Sequence, residues 1–409
     1  MEVRKGYKKT AVGVIPEDWG VRKLSSFCEM ISSKRIFESD YVLSGIPFYR
    51  GTEISLLIGG KNIEEPYYIS KERYEGIKKQ FGAPQKDEIL VTAVGTLANV
   101  YLIPDNKEFY FKDGNLIWLK RIKDVDVKYF AIQIANYKNN IIDNAIGSSQ
   151  KALTLIVLKN QKIPIPPTKT EQTAIATALS DTDALIQSLE KLIIKKRNIK
   201  QGAMQELLTG KKRLPGFSGE WETKKVMDVG EIITGSTPST IVKNYWAGDV
   251  PWITPTDITE KRDIYNSERE ISSAGLDVIR KLPPNSLLVT CIASIGKNAI
   301  LRKHGACNQQ INAVVPNDEY DVNFLYYLFE SKKQYLLGHA GITATYIISK
   351  KDFSEIIFSV PPIIEQVVIA KVLIDMDADI EALAKKLNKY KMIKQGMMQE
   401  LLTGKTRLI

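Results

Sequence analysis

The sequence predicts an α+β protein built as two pseudo-symmetric halves, each a mixed α/β domain followed by one long helix, with the two helices forming an antiparallel coiled coil. Three observations carry this prediction. Residues 199–214, IKQGAMQELLTGKKRL, recur at 393–408 as IKQGMMQELLTGKTRL, 14 identities in 16 at an offset of 194, so the chain contains a duplication. Upstream of each copy, a stripe of mostly apolar residues steps alternately by four and three over about five heptads, the period of a helix that seeks a partner helix. Ahead of each helix, short β-rich runs mix with capped helical runs, as in an α+β domain.

The first front segment, residues 1–165, carries β-rich runs at 88–92, 101–104 and 115–120, bounded by Gly, Pro, Asn and Asp. Residues 127–139 read as a helix opened by Asp126, placed to cap it. Three loops mix cations with small donors: Lys34 and Arg35 after two serines, Arg50 and Thr52 around Gly51, and Ser148, Ser149, Gln150 and Lys151 after Gly147. Hydroxyls, amides and cations are what phosphate and base-edge contacts require, and they are also what ordinary surface loops contain.

The segment 166–213 is read as one helix. Pro166-Pro167 precede it, Thr168 or Thr170 is placed to cap it, and Gly210 fits its stop. Ile175, Leu179, Thr182, Ile186, Leu189, Ile193, Lys196, Lys200, Ala203 and Leu207 form its stripe. Roughly 39 residues at 1.5 Å each span about 58 Å. An amphipathic helix lying on its own domain is the ordinary explanation of such a stripe, but this length far exceeds the globular mean of about 11 to 12 residues. Gly202 sits in the interior, where glycine costs about 1 kcal/mol relative to alanine. Its recurrence as Gly396 leaves two explanations open, close approach by another backbone or a kink. The end of the helix is basic, with Lys191, Lys195, Lys196, Arg197, Lys200, Lys211, Lys212 and Arg213 facing only Glu190 and Glu206 nearby in sequence, which a solvated face explains as well as proximity to DNA does.

The second front segment, 214–360, repeats the first faintly. Trp221 and Lys225 parallel Trp19 and Lys23, Val250-Pro251-Trp252 parallels Ile46-Pro47-Phe48, and Leu288-Val289-Thr290 parallels Leu90-Val91-Thr92. Strands are expected at 287–290 and 311–315, and a helix at 322–335 capped by Asp321. Its polar loops hold Thr237 and Ser239, Thr254 and Thr256, and Thr343, Thr345 and Tyr346. Between the anchors the two front segments differ almost freely.

The final segment, 361–409, restates the long helix after Pro361-Pro362, with the stripe Ile369, Leu373, Met376, Ile380, Leu383, Leu387, Tyr390, Lys394, Met397 and Leu401 and a stop at Gly404. Glu365-Gln366 repeats Glu171-Gln172, and Asp375-x-Asp377 repeats Asp181-x-Asp183. Two such helices in one chain can bury their stripes against each other, and an antiparallel pair would place the front domains at opposite ends.

Composition narrows the chemistry. With 409 residues, 44% apolar and 25% charged, the chain is of ordinary globular make-up, and no apolar run reaches the 18 residues of a membrane span. A net charge of +10, from 57 basic and 47 acidic residues, is compatible with a polyanion partner. Cys28, Cys291 and Cys307 form no CxxC, and an odd thiol count points to a reducing cytoplasm. His304 and His339 lie in no metal-binding or triad spacing. Gly404-Lys405-Thr406 lacks the glycine spacing and strand–loop–helix context of a phosphate-binding loop. Pro104-Asp105 with Asp126-x-Lys128 is nuclease-like spacing that 47 acids produce easily by chance. No Pro-Pro pair stands in an adenine-methyltransferase signature, so no catalytic centre is visible.

Identical helices presented twice suit two copies of one partner, and divergent domains on a shared scaffold suit two different targets. This organisation resembles the specificity subunit of type I restriction-modification systems. The resemblance covers essentially the whole chain. It rests on the two-fold layout, the Trp19 and Trp221 entries after Ile15-Pro16 and Leu214-Pro215, the Pro-Pro openings followed by Glu-Gln, and the QELLTGK segments at 205–211 and 399–405.

The resemblance implies that the front segments are target recognition domains, each reading one half of an asymmetric bipartite site in double-stranded DNA. It implies that the helices set the spacing, with half-site centres about one turn, or about 10 base pairs, apart. It further implies binding of two adenine methyltransferase subunits, with restriction and translocase subunits joining the complex. S-adenosylmethionine, ATP and Mg would belong to those partners, none to this non-catalytic chain. The loop residues named above are the DNA contacts expected on this reading, with no membrane partner. A stand-alone DNA-binding regulator and a protein-only coiled-coil adapter are the competing classes, and DNA binding by the isolated chain separates them.

Overall fold

In the computed structural model, which describes residues 4–146, 151–338, 340–342 and 346–408, the two long helices run over Lys169–Leu207 and Ile363–Leu401, 39 residues each. Each forms because no proline interrupts the heptad pattern. Thr168 caps the first, its Oγ1 accepting from the Glu171 amide at 3.2 Å. Beyond the ends, Gly210 and Gly404 take φ of +69° and +71°, the left-handed conformation that glycine adopts without a Cβ penalty.

Packing divides the chain into two compact units, Met1–Ser188 with Leu387–Ile409, and Leu189–Lys386. Each unit therefore joins one front domain to the start of the helix that follows it and the end of the other long helix. Within the first unit, Asp183 pairs with Lys394 at 2.5 Å and Glu171 with Arg407. Within the second, Asp379 pairs with Lys196 at 2.9 Å, Asp377 with Lys200 and Glu365 with Arg213. Partner numbers fall on one helix as they rise on the other, so the helices are antiparallel in each unit. Of the cations that look unpartnered along the end of the first long helix, Lys196, Lys200 and Arg213 are thus neutralised by acids distant in sequence.

The stripe residues Ile175, Leu179, Ile186, Leu189, Ile193, Leu207, Ile369, Leu373 and Leu401 are buried, while Ile380, Leu383 and Leu387 are half-buried. Ile175, Leu179, Leu401 and Leu402 enter the first domain's core, and Leu207, Leu208, Ile369 and Leu373 enter the second's. Gly202 and Gly396 have no atom within 4 Å of an added Cβ. Among the described residues no backbone of this chain makes the close approach that the recurrence suggests, since both glycines lie on the helix face turned away from the buried stripe.

Both front domains build the same sheets. In the first, a four-stranded sheet runs Glu29–Ile31, Leu116–Lys120, Ile89–Thr92, Val100–Leu102. In the second, Gly230–Thr234, Ile311–Pro316, Ser286–Thr290 and Asn298–Leu301 repeat that order and Asp263–Ile264 extends it. Ile46–Tyr49 pairs in parallel with Tyr110–Phe111, as Val250–Ile253 does with Ala306–Cys307. The shared Leu-Val-Thr has a local reason: Thr92 and Thr290 are buried, and their hydroxyls accept from the Asn99 and Lys297 amides at 2.9 and 3.0 Å, closing the same turn.

Asp126 and Asp321 cap Val127–Asn136 and Val322–Ser331, accepting from Tyr129 and Phe324 amides at 2.9 and 2.8 Å. Each expected helix is broken in two, continuing as Lys138–Asp143 and Lys333–Gly338. The Ser331 hydroxyl donates to the Leu328 carbonyl at 2.7 Å just before the second break, the kind of side-chain bond that competes with helix continuation. Gln172 accepts from the Asp126 amide and donates to the Pro166 carbonyl, at 2.8 and 3.0 Å. Gln366 does the same with Asp321 and Pro361, at 3.0 and 2.8 Å. The duplicated glutamine clamps each long helix to the capped helix of its domain.

Trp19 and Trp221 lie under the helix stops. A Cβ on Gly404 would stand 2.6 Å from Pro16 and 3.1 Å from Trp19, and one on Gly210 would stand 3.4 Å from Trp221. Arg407 and Arg213 sit 5.8 Å over those indoles. Hydrogen bonds to Glu171 and Asp18 hold the Arg407 guanidinium above its ordinary pKa.

Replacing Arg407 with Ala would leave Glu171, whose side chain is 1% exposed, without its countercharge. Removing one partner of a buried pair costs about 3 to 5 kcal/mol. Because Arg407 is 24% exposed, water offsets part of this, and a loss of about 2 to 3 kcal/mol is expected in denaturant unfolding. Arg407→Lys should recover only part of it, lacking the bidentate fork. An unfolding midpoint unchanged in Arg407→Ala would show that the pair does not hold the helix end.

Candidate nucleic-acid interface

In the first domain the sheet edge around Tyr110–Phe111, Ile46–Tyr49 and Tyr67–Ile69 positions the cationic loops. Lys34 is held by its backbone amide, which donates to the Tyr110 hydroxyl at 2.9 Å, and its ammonium rests 4.2 Å over Phe81. Arg35 is mostly exposed, with Nε 2.9 Å from Asp113. Arg50 precedes the helix Gly51–Ile58 and lies 4.5 Å over Tyr67, while its Nη2 donates to Glu53 at 2.6 Å. Burial alone would raise the Glu53 carboxyl, but hydrogen bonds from Arg50 hold it below the usual carboxylate range. Thr52 is exposed in the first turn of that helix.

Lys151 is exposed, its Nζ 3.5 Å from the Ile142 carbonyl. The neighbouring Leu153 amide donates to Ala93 at 2.9 Å, and an added Cβ on Gly51 would lie 3.8 Å from the Val94 carbonyl. The 50–52 and 151–153 stretches therefore meet at the turn following Thr92. Ser148, Ser149 and Gln150 lie outside the described residues.

The second domain gathers its loops more tightly. Thr254 donates from both amide and hydroxyl to one oxygen of Asp257, at 2.8 and 2.7 Å, and the other oxygen accepts from the Glu268 amide at 2.8 Å. Thr256 lies 2.8 Å from Thr254, and Thr237 donates to Gln309 at 2.7 Å. The Ser239 carbonyl accepts from the Trp246 indole at 3.1 Å, and Ser236 from that of Trp252 at 2.9 Å. Asp257 and the two indoles thus tie the loops at 236–239, 254–257 and 267–269 into one surface. Tyr346 is exposed, and its carbonyl accepts from Ala293 at 3.0 Å, beside the turn equivalent to the one after Thr92. Thr343 and Thr345 lie outside the described residues, as does His339.

Sequence reasoning missed three members of this surface. Arg269 lies 4.0 Å over Trp246 and 5.3 Å over Trp252. Arg280 donates to the Thr234 carbonyl at 2.8 Å and anchors the strand end before Ser236. Gln309 receives Thr237. Arg269 stands between Glu268 and Glu270, so in sequence its charge looks cancelled, and only the fold turns it onto the aromatics.

The chemistry on offer is hydrogen bonding and charge. Among the described residues no group of three or more His, Cys, Asp or Glu is placed to hold a metal, and no helix is long and apolar enough to cross a membrane. Burial pushes the Cys28 and Cys307 thiols up to about 12 and that of Cys291 to about 11, so they stay protonated at neutral pH.

The family described as type I restriction modification DNA specificity domain matches the chain at residues 16–196 and again at 218–391. A putative type I restriction enzyme MjaX specificity subunit of Methanocaldococcus jannaschii is 28% identical over 99% of this chain and 97% of its own. The MjaIX specificity subunit of the same organism is 37% identical over 40% of this chain and 39% of its own. The fold is shared with the S subunit of a type I restriction-modification system from M. genitalium, TM-score 0.59 at 15% identity over 98% of both chains. It is also shared with the HsdS subunit of Thermoanaerobacter tengcongensis, TM-score 0.50 at 17% identity over 96% of this chain and 98% of that one.

The role of Asp257 as the tie between loops is directly measurable. Asp257→Ala should lower the local opening free energy at Thr254 and Glu268 by about 1 to 2 kcal/mol, read as roughly tenfold faster amide exchange at those residues. Amides of the Ile311–Pro316 strand should be unaffected, and unchanged exchange at Glu268 would show that the loops are held by other contacts.

Proposed function

The chain belongs to the type I restriction modification DNA specificity family, and from that membership we propose that it recognises a bipartite DNA site, one half with each front domain. Recognition is its task, and the chemistry of modification and cleavage resides in partner subunits. In this reading residues 1–165 and 214–360 are the target recognition domains and 166–213 and 361–409 the helical spacers. The loop residues Lys34, Arg35, Arg50, Thr52, Lys151, Thr237, Ser239, Thr254, Thr256 and Tyr346 are the proposed DNA contacts, together with Ser148, Ser149, Gln150, Thr343 and Thr345. The long helices fix the gap between half-sites. Two adenine methyltransferase subunits dock on them and restriction subunits join. S-adenosylmethionine, ATP and Mg serve those partners.

One observation carries the two-copy docking. Most residues of the duplicated segment have work inside their own unit: Lys200 and Lys394 pair with aspartates, Leu207 and Leu401 are buried, and Arg213 and Arg407 pair with glutamates. The remainder does not. Ile199 and Ile393 are 48% and 39% exposed, Gln201, Gln205, Gln395 and Gln399 are exposed, and Gly202 and Gly396 face open space. A helix-weakening glycine kept in both copies, with no neighbour in this chain, fits a seat for a partner's helix. Small interfacial residues let two backbones come close.

Two experiments test the reading. Mapping methyladenine across a genome with and without this chain should reveal a bipartite motif with a fixed gap that vanishes with the protein. A motif that persists in its absence, or has no gap, would remove the function. For docking, Gly202→Leu and Gly396→Leu should each remove one of two methyltransferase copies seen by native mass spectrometry, and the double variant both. The substitutions favour the helix by about 1 kcal/mol each, so unfolding should not shift downward. Retention of two copies by the double variant would relocate the docking face.

A further inference from the structure

We propose that Arg269 reads a guanine in the half-site bound by the second domain, its guanidinium donating to O6 and N7 of that base from a platform made by Trp246 and Trp252. The inference rests on the chain being a DNA recognition subunit and adds which residue discriminates, and against which base.

The platform is rigid. The two indoles meet edge to face, centroids 5.0 Å apart at 88°, and each indole N–H is committed to a carbonyl of the 236–239 loop, at 3.1 and 2.9 Å. The backbone of Arg269 is anchored to the same platform. The Ser267 hydroxyl donates to the Arg269 carbonyl at 2.6 Å and accepts from the Trp252 amide at 2.9 Å. The side chain has one well-defined place to rest, on the Trp246 face at 4.0 Å. A guanidinium stacked on an indole keeps its in-plane N–H donors free, because stacking uses the face and hydrogen bonding the edge.

Its charge is also uncommitted. Arg35, Arg50, Arg213, Arg262, Arg302 and Arg407 each pair with a carboxylate within 3.0 Å. Among the described residues Arg269 has no ion pair, although Glu268 and Glu270 flank it. The Glu268 amide is turned to Asp257, and Glu270 enters the strand Glu270–Ile271 that pairs with Val250–Ile253. The first domain supplies a contrast: Arg50 also lies over an aromatic ring, Tyr67, but Glu53 neutralises it. A cation held exposed, oriented and without an ion pair, on the surface whose loops also carry Thr237, Thr254 and Thr256, is arranged for an external acceptor. A fork of two parallel donors matches the paired acceptors of guanine in the major groove, the commonest specific arginine contact. Pre-orientation means that little side-chain freedom remains to be lost on binding.

The test uses the full chain assembled with its methyltransferase subunits. Binding is measured on duplexes carrying the mapped motif and on a panel with each base pair of the second half-site changed in turn. For Arg269→Ala, discrimination at one G·C position should fall roughly 5- to 150-fold, with every other position and the first half-site unchanged. Trp246→Ala should relax the same position to a smaller degree, since it loosens the platform and keeps the charge. Arg269→Lys should retain much of the affinity but lose the discrimination, because a point charge lacks the fork. A uniform loss across all sequences, with the slope of log affinity against log salt reduced by about one, would overturn the proposal in favour of a phosphate contact. Unchanged discrimination in Arg269→Ala would overturn it outright. Absence of any sequence preference in the unmodified complex would instead defeat the DNA-recognition reading on which it rests.

Discussion

A glutamate side chain with 1% exposure at the first turn of each long helix sets the terms for everything packed around it. A carboxylate removed from water needs a countercharge and hydrogen-bond donors. The helix N-terminus favours it through the macrodipole, and an arginine completes it. That arginine lies beyond the end of the other long helix: Arg213 reaches Glu365, and Arg407 reaches Glu171. To satisfy the charge, the end of one helix must lie beside the start of the other, which imposes the antiparallel order seen within each unit. The same arginine covers the tryptophan that opens the domain, and the glycine before it keeps a Cβ out of that contact. A few residues thereby account for the duplicated Trp, Glu, Gly and Arg together.

Much of this was legible because it is local or periodic. The heptad stripe from Ile175 to Leu207, the caps Asp126 and Asp321, and the stops Gly210 and Gly404 depend on neighbours within a turn or two. The pairing of Lys196 and Lys200 with Asp379 and Asp377 was not, since those acids are over 170 residues away and local charge counting saw only an excess of cations. Gly202 and Gly396 were seen, but composition could not tell a backbone within the chain from open space. In the candidate interface, loop composition singled out Thr254 and Thr256. It missed Arg269, which two flanking glutamates disguise, and gave no role to Asp257, whose part depends on an amide eleven residues away.

The divergence of the two front domains has a physical counterpart in how each treats its cations. Residues that hold the scaffold, such as Thr92 and Thr290 or Gln172 and Gln366, make the same hydrogen bonds in both. Residues at the loop surface do not. The first domain leaves Lys34 on Phe81 and restrains Arg50 with Glu53, whereas the second ties its hydroxyl loops through Asp257 and leaves a stacked arginine free. A common frame with independently wired edges lets one surface change without disturbing the fold beneath it.

The composition of the first compact unit also bears on how the chain is made. Leu401 and Leu402 are part of the first domain's core, and Gln133 donates to the Leu402 carbonyl at 3.1 Å across 269 residues of sequence. At about 5 to 20 residues per second of synthesis, roughly 15 to 50 seconds separate the emergence of those two partners. During that interval the whole second front domain is made, while the first lacks the helix end that seals it and leaves Glu171 without Arg407. The domain synthesised first is thus the last to close. Its apolar floor stays open to chaperones or to stray helices throughout, a vulnerability that a simple tandem of self-sufficient domains would not have.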